Sequence, residues 1–546
     1  MDRLLRAHFF RALVHNDLIA PRGDTELAFF HALALAALPG FFFAYGALVR
    51  YVAHAPAEAA LLDATIAADR AFLVALSMLA LGFVAVWAWD ELLPTRRDFA
   101  VLGPVPIPVE RLLAAKAAAL LRLLAICALA LNLFSAAVFP LAAAPRGAGP
   151  AAALLRVLAH LVALASAAAF VGFVAVAARA LLQNATARRA VQLLSFVLLV
   201  QSVFLLPGYV VAIRRLSTAE PWLLMLPPTW FVGLYATLAG SAQPLDHGLA
   251  LVALGSLVAS GLACRTSYRS AAERVAPRVR AARPGPIASL LERALNTVAL
   301  RSAGARAAFW FVLAGLWRSP RHRLTLTGYG AVGLAASGLV GAVATRGAVL
   351  ADPVRLQSLL VHATFVGIFF LLLGLRSAFD VPADLRANWL FRAAGPDAVG
   401  ELRRGSRRAA LFVATTPVLA SLPVLAAAGL EATSLPLHLA YGLLVASIAV
   451  RMALFRRRGM PLASAYVPGR ANLRLRWPLY IGSFFGFVGV AAALERMLLR
   501  APSLLPLFVL AGVLVSALMR LRERAAEDTL LFDEEPEGMP SLELNG

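Results

Sequence analysis

Twelve apolar stretches of roughly twenty residues, separated by short polar breaks, leave this chain few ways to fold. A stretch of that length matches the hydrocarbon core of a bilayer, where a helix satisfies its own backbone and an open strand does not. The stretches fall at about 27–49, 71–89, 117–139, 154–178, 191–213 and 247–264, then at 324–344, 359–375, 409–430, 435–452, 479–494 and 504–519. Charged residues make up 15% of the 546 positions, against about 25% in soluble domains. The expected fold is therefore all-α: a polytopic membrane protein of about twelve transmembrane helices.

The net charge of +21 could suggest nucleic acid, but its distribution argues against that partner. Loops 50–70, 140–153, 214–246, 345–358, 431–434 and 495–503 hold two, one, two, two, none and two arginines. The alternate loops 90–116, 179–190, 265–323, 376–408 and 451–478 hold three, three, twelve, seven and seven, and the first adds the chain's only lysine, Lys116. Basic residues mark the cytoplasmic side of short loops. Both termini are therefore expected in the cytoplasm, and no nucleic acid is expected as a partner. The first 26 residues lack a continuous apolar core, so no cleavable signal peptide is expected.

Two stretches stand outside the spans but are organised. Met1–Arg11 sets Leu4, Leu5, Phe9 and Phe10 among Arg3, Arg6 and Arg11, the pattern of a helix lying in the interface. Pro221–Tyr235, with Trp222, Pro227, Pro228, Trp230 and Tyr235, is apolar and aromatic but too broken by proline to cross. It is expected to dip into the outer interface or re-enter the membrane there, either as a lid or as a substrate contact.

The chain reads as two halves. Glu110 and Lys116 follow Gly103-Pro104, and Glu401 and Arg407 follow Gly395-Pro396. Both acids and both bases lie 291 positions apart (401 − 110 and 407 − 116). Ala307–Arg318 would match the interfacial helix at the start. The expected organisation is two six-helix halves in parallel repeat. Residues 1–264 form the first half, 265–306 a basic cytoplasmic linker, 307–522 the second half and 523–546 an acidic cytoplasmic tail.

Several chemistries are not supported by the residues. Lys116 lies between two alanines, so no Gly-Lys-Ser/Thr phosphate cradle exists. Neither a His-Glu-x-x-His nor a Gly-x-Ser-x-Gly pattern occurs. Cys127 and Cys264 read as packing residues within apolar spans. No catalytic residue, cofactor or metal is expected, and any ATP hydrolysis belongs to another subunit. The spans so bounded contain no Asp or Glu, which makes them poor material for a proton-coupled carrier. Gly333, Ser337 and Gly341 form a small-residue stripe that suits a close helix contact.

The loop after the second span carries Trp87-Ala-Trp89-Asp90-Glu91 and Arg96-Arg97-Asp98. It continues through Leu102-Gly103-Pro104-Val105-Pro106-Ile107-Pro108-Val109-Glu110-Arg111 to Ala115-Lys116. Prolines at alternate positions hold it extended before Glu110 opens a helix. This segment resembles the one between helices 2 and 3 of type-2 ABC-transporter permeases. The resemblance implies a coupling helix that meets a separate ABC ATPase subunit, with Arg96, Arg97, Asp98, Pro104, Pro106, Glu110 and Lys116 at the contact. Glu401 and Arg407 would be their counterparts in the second half. It further implies a transport subunit of the exporter kind in a bacterial inner membrane, moving an unknown substrate. The second half departs from that pattern: residues 396–400 lack the alternating prolines, and the loop before the last span is too short for a hairpin. A major-facilitator-type carrier and a non-transporting scaffold or enzyme are the alternatives. The former lacks its Gly-x-x-x-Asp-Arg loop motif here.

The arginine asymmetry makes a prediction that reporter fusions check. Fusions at Ala57, Gly149 and Gly347 should report the outside, and those at Pro284 and Gly459 the inside. Gly149 and Pro284 reporting the same side would refute the helix count.

Overall fold

The computed structural model describes residues 2–14, 25–53, 59–93, 98, 108–145, 147, 149–182, 184–213, 221–273, 292–344, 353–383, 388, 391, 398–455, 459–463 and 473–524. Their regular elements are all helical, and eleven helices are long and apolar enough to cross a membrane. The chain is an all-α polytopic membrane protein. It divides into two compact units, Met1–Arg280 and Ala281–Gly546.

In the first unit α1 (Asp2–Val14) precedes α2 (Thr25–Leu48), which ends in a π turn, Val49–Ala53. The long helices α3 (Ala59–Trp87), α4 (Val109–Ala142), α5 (Pro150–Leu181) and α6 (Ala185–Ile213) follow. A 3₁₀ turn, Pro221–Met225, leads into α7 (Pro227–Leu238), and α8 (Pro244–Glu273) completes the unit. The middle position belongs to α3, which touches α4, α5, α6 and α7. Its Ala68, Ala71, Leu73, Val74 and Ala75 are buried there.

The second unit opens on a π turn, Leu295–Ala299, followed by α9 (Ala303–Arg318) and α10 (Pro320–Ala344). Then come α11 (Pro353–Phe379), α12 (Val399–Ala414) and α13 (Thr416–Ala427). Thr415 and Pro417 break what would otherwise be one helix, because proline removes an amide donor and crowds the preceding turn. The unit ends with α14 (Ser434–Ala453), α15 (Leu473–Arg500), a single 3₁₀ turn and α16 (Leu505–Arg524). Here α11 is the central helix, touching α10, α12, α13, α14 and α15. Small residues set the closest approach: a Cβ on Gly333 would lie 3.0 Å from Phe370 of α11. The expected spans 71–89 and 479–494 are too short. With α3 beginning at Ala59 and α15 reaching Arg500, Asp69, Arg70 and Glu495 all lie inside membrane-crossing helices. The expectation of acid-free spans is therefore wrong. Asp69 and Glu495 are 4% and 0% exposed, sheltered by neighbouring helices rather than placed in lipid.

The two helices expected at the interface dock alike on their own units, α1 on α4 and α9 on α12. At the second junction a Cβ on Gly405 would stand 2.2 Å from the Ala305 carbonyl oxygen, so only glycine fits. Overpacking against backbone costs about 1–3 kcal/mol, so Gly405→Val should lower unfolding stability in detergent by about that much. Gly482→Ala, which opens onto free space, should raise it slightly. Equal unfolding midpoints for Gly405→Val and the wild type would refute the packing account.

Candidate functional site

The loop between α3 and α4 is held from four sides. At the end of α3, Gln192 Nε2 of α6 donates to Val86 O at 3.0 Å, and Arg179 Nε of α5 donates to Trp89 O at 3.1 Å. Terminal carbonyls that a helix leaves open are thus satisfied by side chains, one of them cationic as the helix dipole favours. Trp89, Leu92 and Leu93 are buried just beyond, against Leu120, Val176 and Ala180.

Lys116 closes the arrangement. It lies two turns into α4 and is only 2% exposed. Its Nζ is 2.6 Å from Asp98 Oδ2 and 3.2 Å from Glu91 Oε2, and it sits 5.5 Å from the centre of the Phe9 ring on α1. One ammonium therefore ties together the end of α3, the middle of the loop, α4 and α1. The apolar side of the same junction is Leu5 and Phe9 of α1 on Leu112, Ala115 and Ala119 of α4. One turn further on, the Arg122 guanidinium stacks 4.7 Å over Phe10. A buried ammonium needs such compensation, since an unpaired charge there would cost several kcal/mol.

The sequence-predicted contact residues are thus distributed. Asp98 and Lys116 meet each other inside the junction. Glu110 lies exposed in the first turn of α4, where an acid suits the amino-terminal dipole. Arg96, Arg97, Pro104 and Pro106 lie outside the described residues. In the second unit Glu401 plays a different part. Its Oε2 accepts from Gly304 N at 3.0 Å, capping α9 beside Ser302, whose Oγ accepts from Ala305 N. Arg407 is half-buried beside Arg403, Ser406 and Met460, which share a small cleft.

The proline-broken segment 221–235 folds into the unit. A twelve-residue helix is about 18 Å long, so α7 is too short to cross, and it packs on α3, α5 and α8. Pro227 and Pro228 occupy its first turn, where missing amides cost nothing. Trp230 Nε1 donates back to Leu224 O at 2.7 Å, while Trp222 is exposed. Tyr235 is fully buried and bonds His160 Nδ1 at 2.9 Å. Arg70 stacks 4.8 Å over the Tyr235 ring and donates to Ser241 Oγ at 2.8 Å. Next to Arg70, Asp69 accepts from Tyr51 OH at 2.7 Å and pairs with Arg50 at 3.0 Å.

Sequence reasoning did not find this polar core, nor Glu91 as the second acid on Lys116. The available signal was Asp69-Arg70 at the mouth of an apolar run, together with lone histidines at 160 and 438 inside two others. No described family, characterised protein or solved structure matches the chain.

Removing one partner of a buried pair costs about 3–5 kcal/mol. Lys116→Met should therefore lose roughly 3 kcal/mol of stability, because it removes the buried ammonium that Asp98 and Glu91 both face. Adding Asp98→Asn and Glu91→Gln should recover most of the loss, a non-additivity expected of contacting residues. Chemical denaturation in detergent checks this, and a single variant as stable as the wild type would refute it.

Proposed function

We propose that the chain is the membrane-spanning subunit of an ATP-driven transporter of the type-2 ABC permease kind, energised by a separate ATPase subunit. The observation that carries this reading is the Lys116 junction. A loop that passes on the motion of a docked ATPase has to act as a lever, since a compliant one absorbs the displacement. Here the segment between α3 and α4 is tied by Asp98 and Glu91 to Lys116 and, through Phe9, to α1. A push on this loop moves α3, α4 and α1 together. Glu110, exposed beside the tied core, offers a charge to a partner, as Arg96 and Arg97 would on the resemblance. The missing phosphate cradle assigns nucleotide hydrolysis to the partner.

The test is copurification. In mild detergent the wild-type chain should bring down an ATP-hydrolysing subunit. The Arg97→Glu, Glu110→Arg double variant should insert at the same level and lose it. Breaking desolvated interface pairs costs about 2–5 kcal/mol, whereas a solvated pair is worth about 1 kcal/mol or less, so full retention would remove this loop as the contact. The chain freed of partners should hydrolyse no ATP. Activity that survives to homogeneity would overturn the division of labour.

A further inference from the structure

In the second unit, His438 of α14 is wholly buried and bonds Glu495 of α15 through Nδ1. Its Nε2 lies 2.8 Å from Ser421 Oγ of α13. The same hydroxyl is also 2.8 Å from Val418 O, one turn back on its own helix. Glu495 is 0% exposed, and its second oxygen, Oε2, has no partner among the described residues. The three side chains come from three helices of one unit and converge within the apolar cluster of Val418, Leu425, Tyr441, Ala491 and Ala492.

We infer that Ser421, His438 and Glu495 form a proton-binding site in the core of the second unit. The hydrogen count supplies the argument. With Glu495 ionised and Nδ1 protonated, Nε2 accepts the Ser421 proton and the cluster carries one negative charge. When a proton arrives at Nε2, the Ser421 hydroxyl turns to Val418 O and accepts from Nε2–H instead. The cluster becomes neutral, with every hydrogen still bonded. Two acceptors at equal distance let the exchange proceed by rotation of one hydroxyl, with no helix displaced. Uptake of the proton also removes a net charge from a low-dielectric interior, which favours it.

The first unit shows what the site would be without its acid. Ser135 Oγ lies 3.5 Å from His160 Nε2, again between the third and fourth spanning helices, but His160 Nδ1 meets Tyr235 OH rather than a carboxylate. That arrangement is a neutral network beside the Arg70 cation. The order serine, histidine, acid also matches a hydrolytic triad. Ser421, however, lies within α13, whose backbone amides are spent on the helix, so donors for an oxyanion are lacking.

Other ionisable groups on the packed elements do not supply a competing acid. Tyr441 of α14 donates to Ala491 O, and His362 of α11 bonds its own helix at Ser358 O. Arg355 on α11, Arg496 and Arg500 on α15 and Glu431 in the α13–α14 turn are exposed. The first ionisable residue of α16 is Arg520, near its far end.

This inference is independent of the ATPase reading and is tested on the full chain in liposomes. The chain is labelled with ¹⁵N-histidine and ¹³C-carboxyl glutamate and studied by solid-state NMR. His438 is identified by its through-space coupling to a glutamate carboxyl. Its Nε2 should change from unprotonated to protonated type in one step as pH falls from about 9 to 4, at the same midpoint in sodium and potassium buffers. Glu495→Gln should lower that midpoint by about one to three pH units, the effect of losing an adjacent opposite charge, with His438 then assigned by loss of its signal in His438→Gln. An Nε2 signal constant across this range in the wild type overturns the proposal without recourse to any variant. So do a midpoint set by sodium, an unshifted midpoint in Glu495→Gln, or covalent labelling of Ser421 by a fluorophosphonate.

Discussion

In hydrocarbon, apolar burial gives little reason for one helix to choose another, because lipid tails are as apolar as leucine. Close packing of small residues and polar contacts must do the choosing. Both units follow this constraint. Their central helices, α3 and α11, are ringed by neighbours whose approach is set by glycine and alanine. Their polar ties lie at a few buried points: Lys116 with Asp98, Arg50 with Asp69, Ser77 with Asn132, and His438 with Glu495. Each tie joins segments that apolar contact alone would leave free to slide, since an apolar face accepts several registers and a bonded pair accepts one.

The junction of α1 with α4 and that of α9 with α12 differ in their chemistry. In the first unit a cation from the spanning helix lies under Phe9, with two carboxylates to neutralise it. In the second, Glu401 from the spanning helix caps the amino terminus of α9, and Gly405 lets the two backbones close. Both place a charge of the spanning helix against the complementary end or face of the interfacial one. The equal spacing of Glu110–Lys116 and Glu401–Arg407 therefore hides a change of function. Lys116 binds the first junction and Glu401 binds the second, so the two tying residues do not occupy matched positions.

The helical class was legible because apolar runs of bilayer length admit little else. The short helix at the start was legible because apolar residues are set among arginines in it, and the broken segment at 221–235 because prolines interrupt it. Helix ends were less so, since a hydropathy reading stops at the first charge whereas a helix continues wherever its neighbours can shelter that charge. Asp69, Arg70 and Glu495 were misplaced for this reason. The partners of Lys116 were hidden in another way. Asp90, Glu91 and Asp98 all precede it in one acidic and basic stretch, and only the folded structure selects Glu91 and Asp98. His160 and His438 carry no local motif, because their partners are 75 and 57 residues away.

The two units keep a serine–histidine contact at matching places but differ in what lies behind the imidazole. A tyrosine hydroxyl can donate to an imidazole nitrogen or accept from it, so His160 keeps its bond to Tyr235 in either tautomer. In the second unit a carboxyl group takes that place, so His438 faces an acid where His160 faces a hydroxyl. That single difference gives otherwise similar helix bundles unequal electrostatics. A conformational change that opened the α14–α15 contact would part an imidazole from its carboxyl group, whereas the equivalent change at α4–α5 would only trade hydrogen bonds between hydroxyl and imidazole. A device built on that carboxyl group would therefore belong to the second unit.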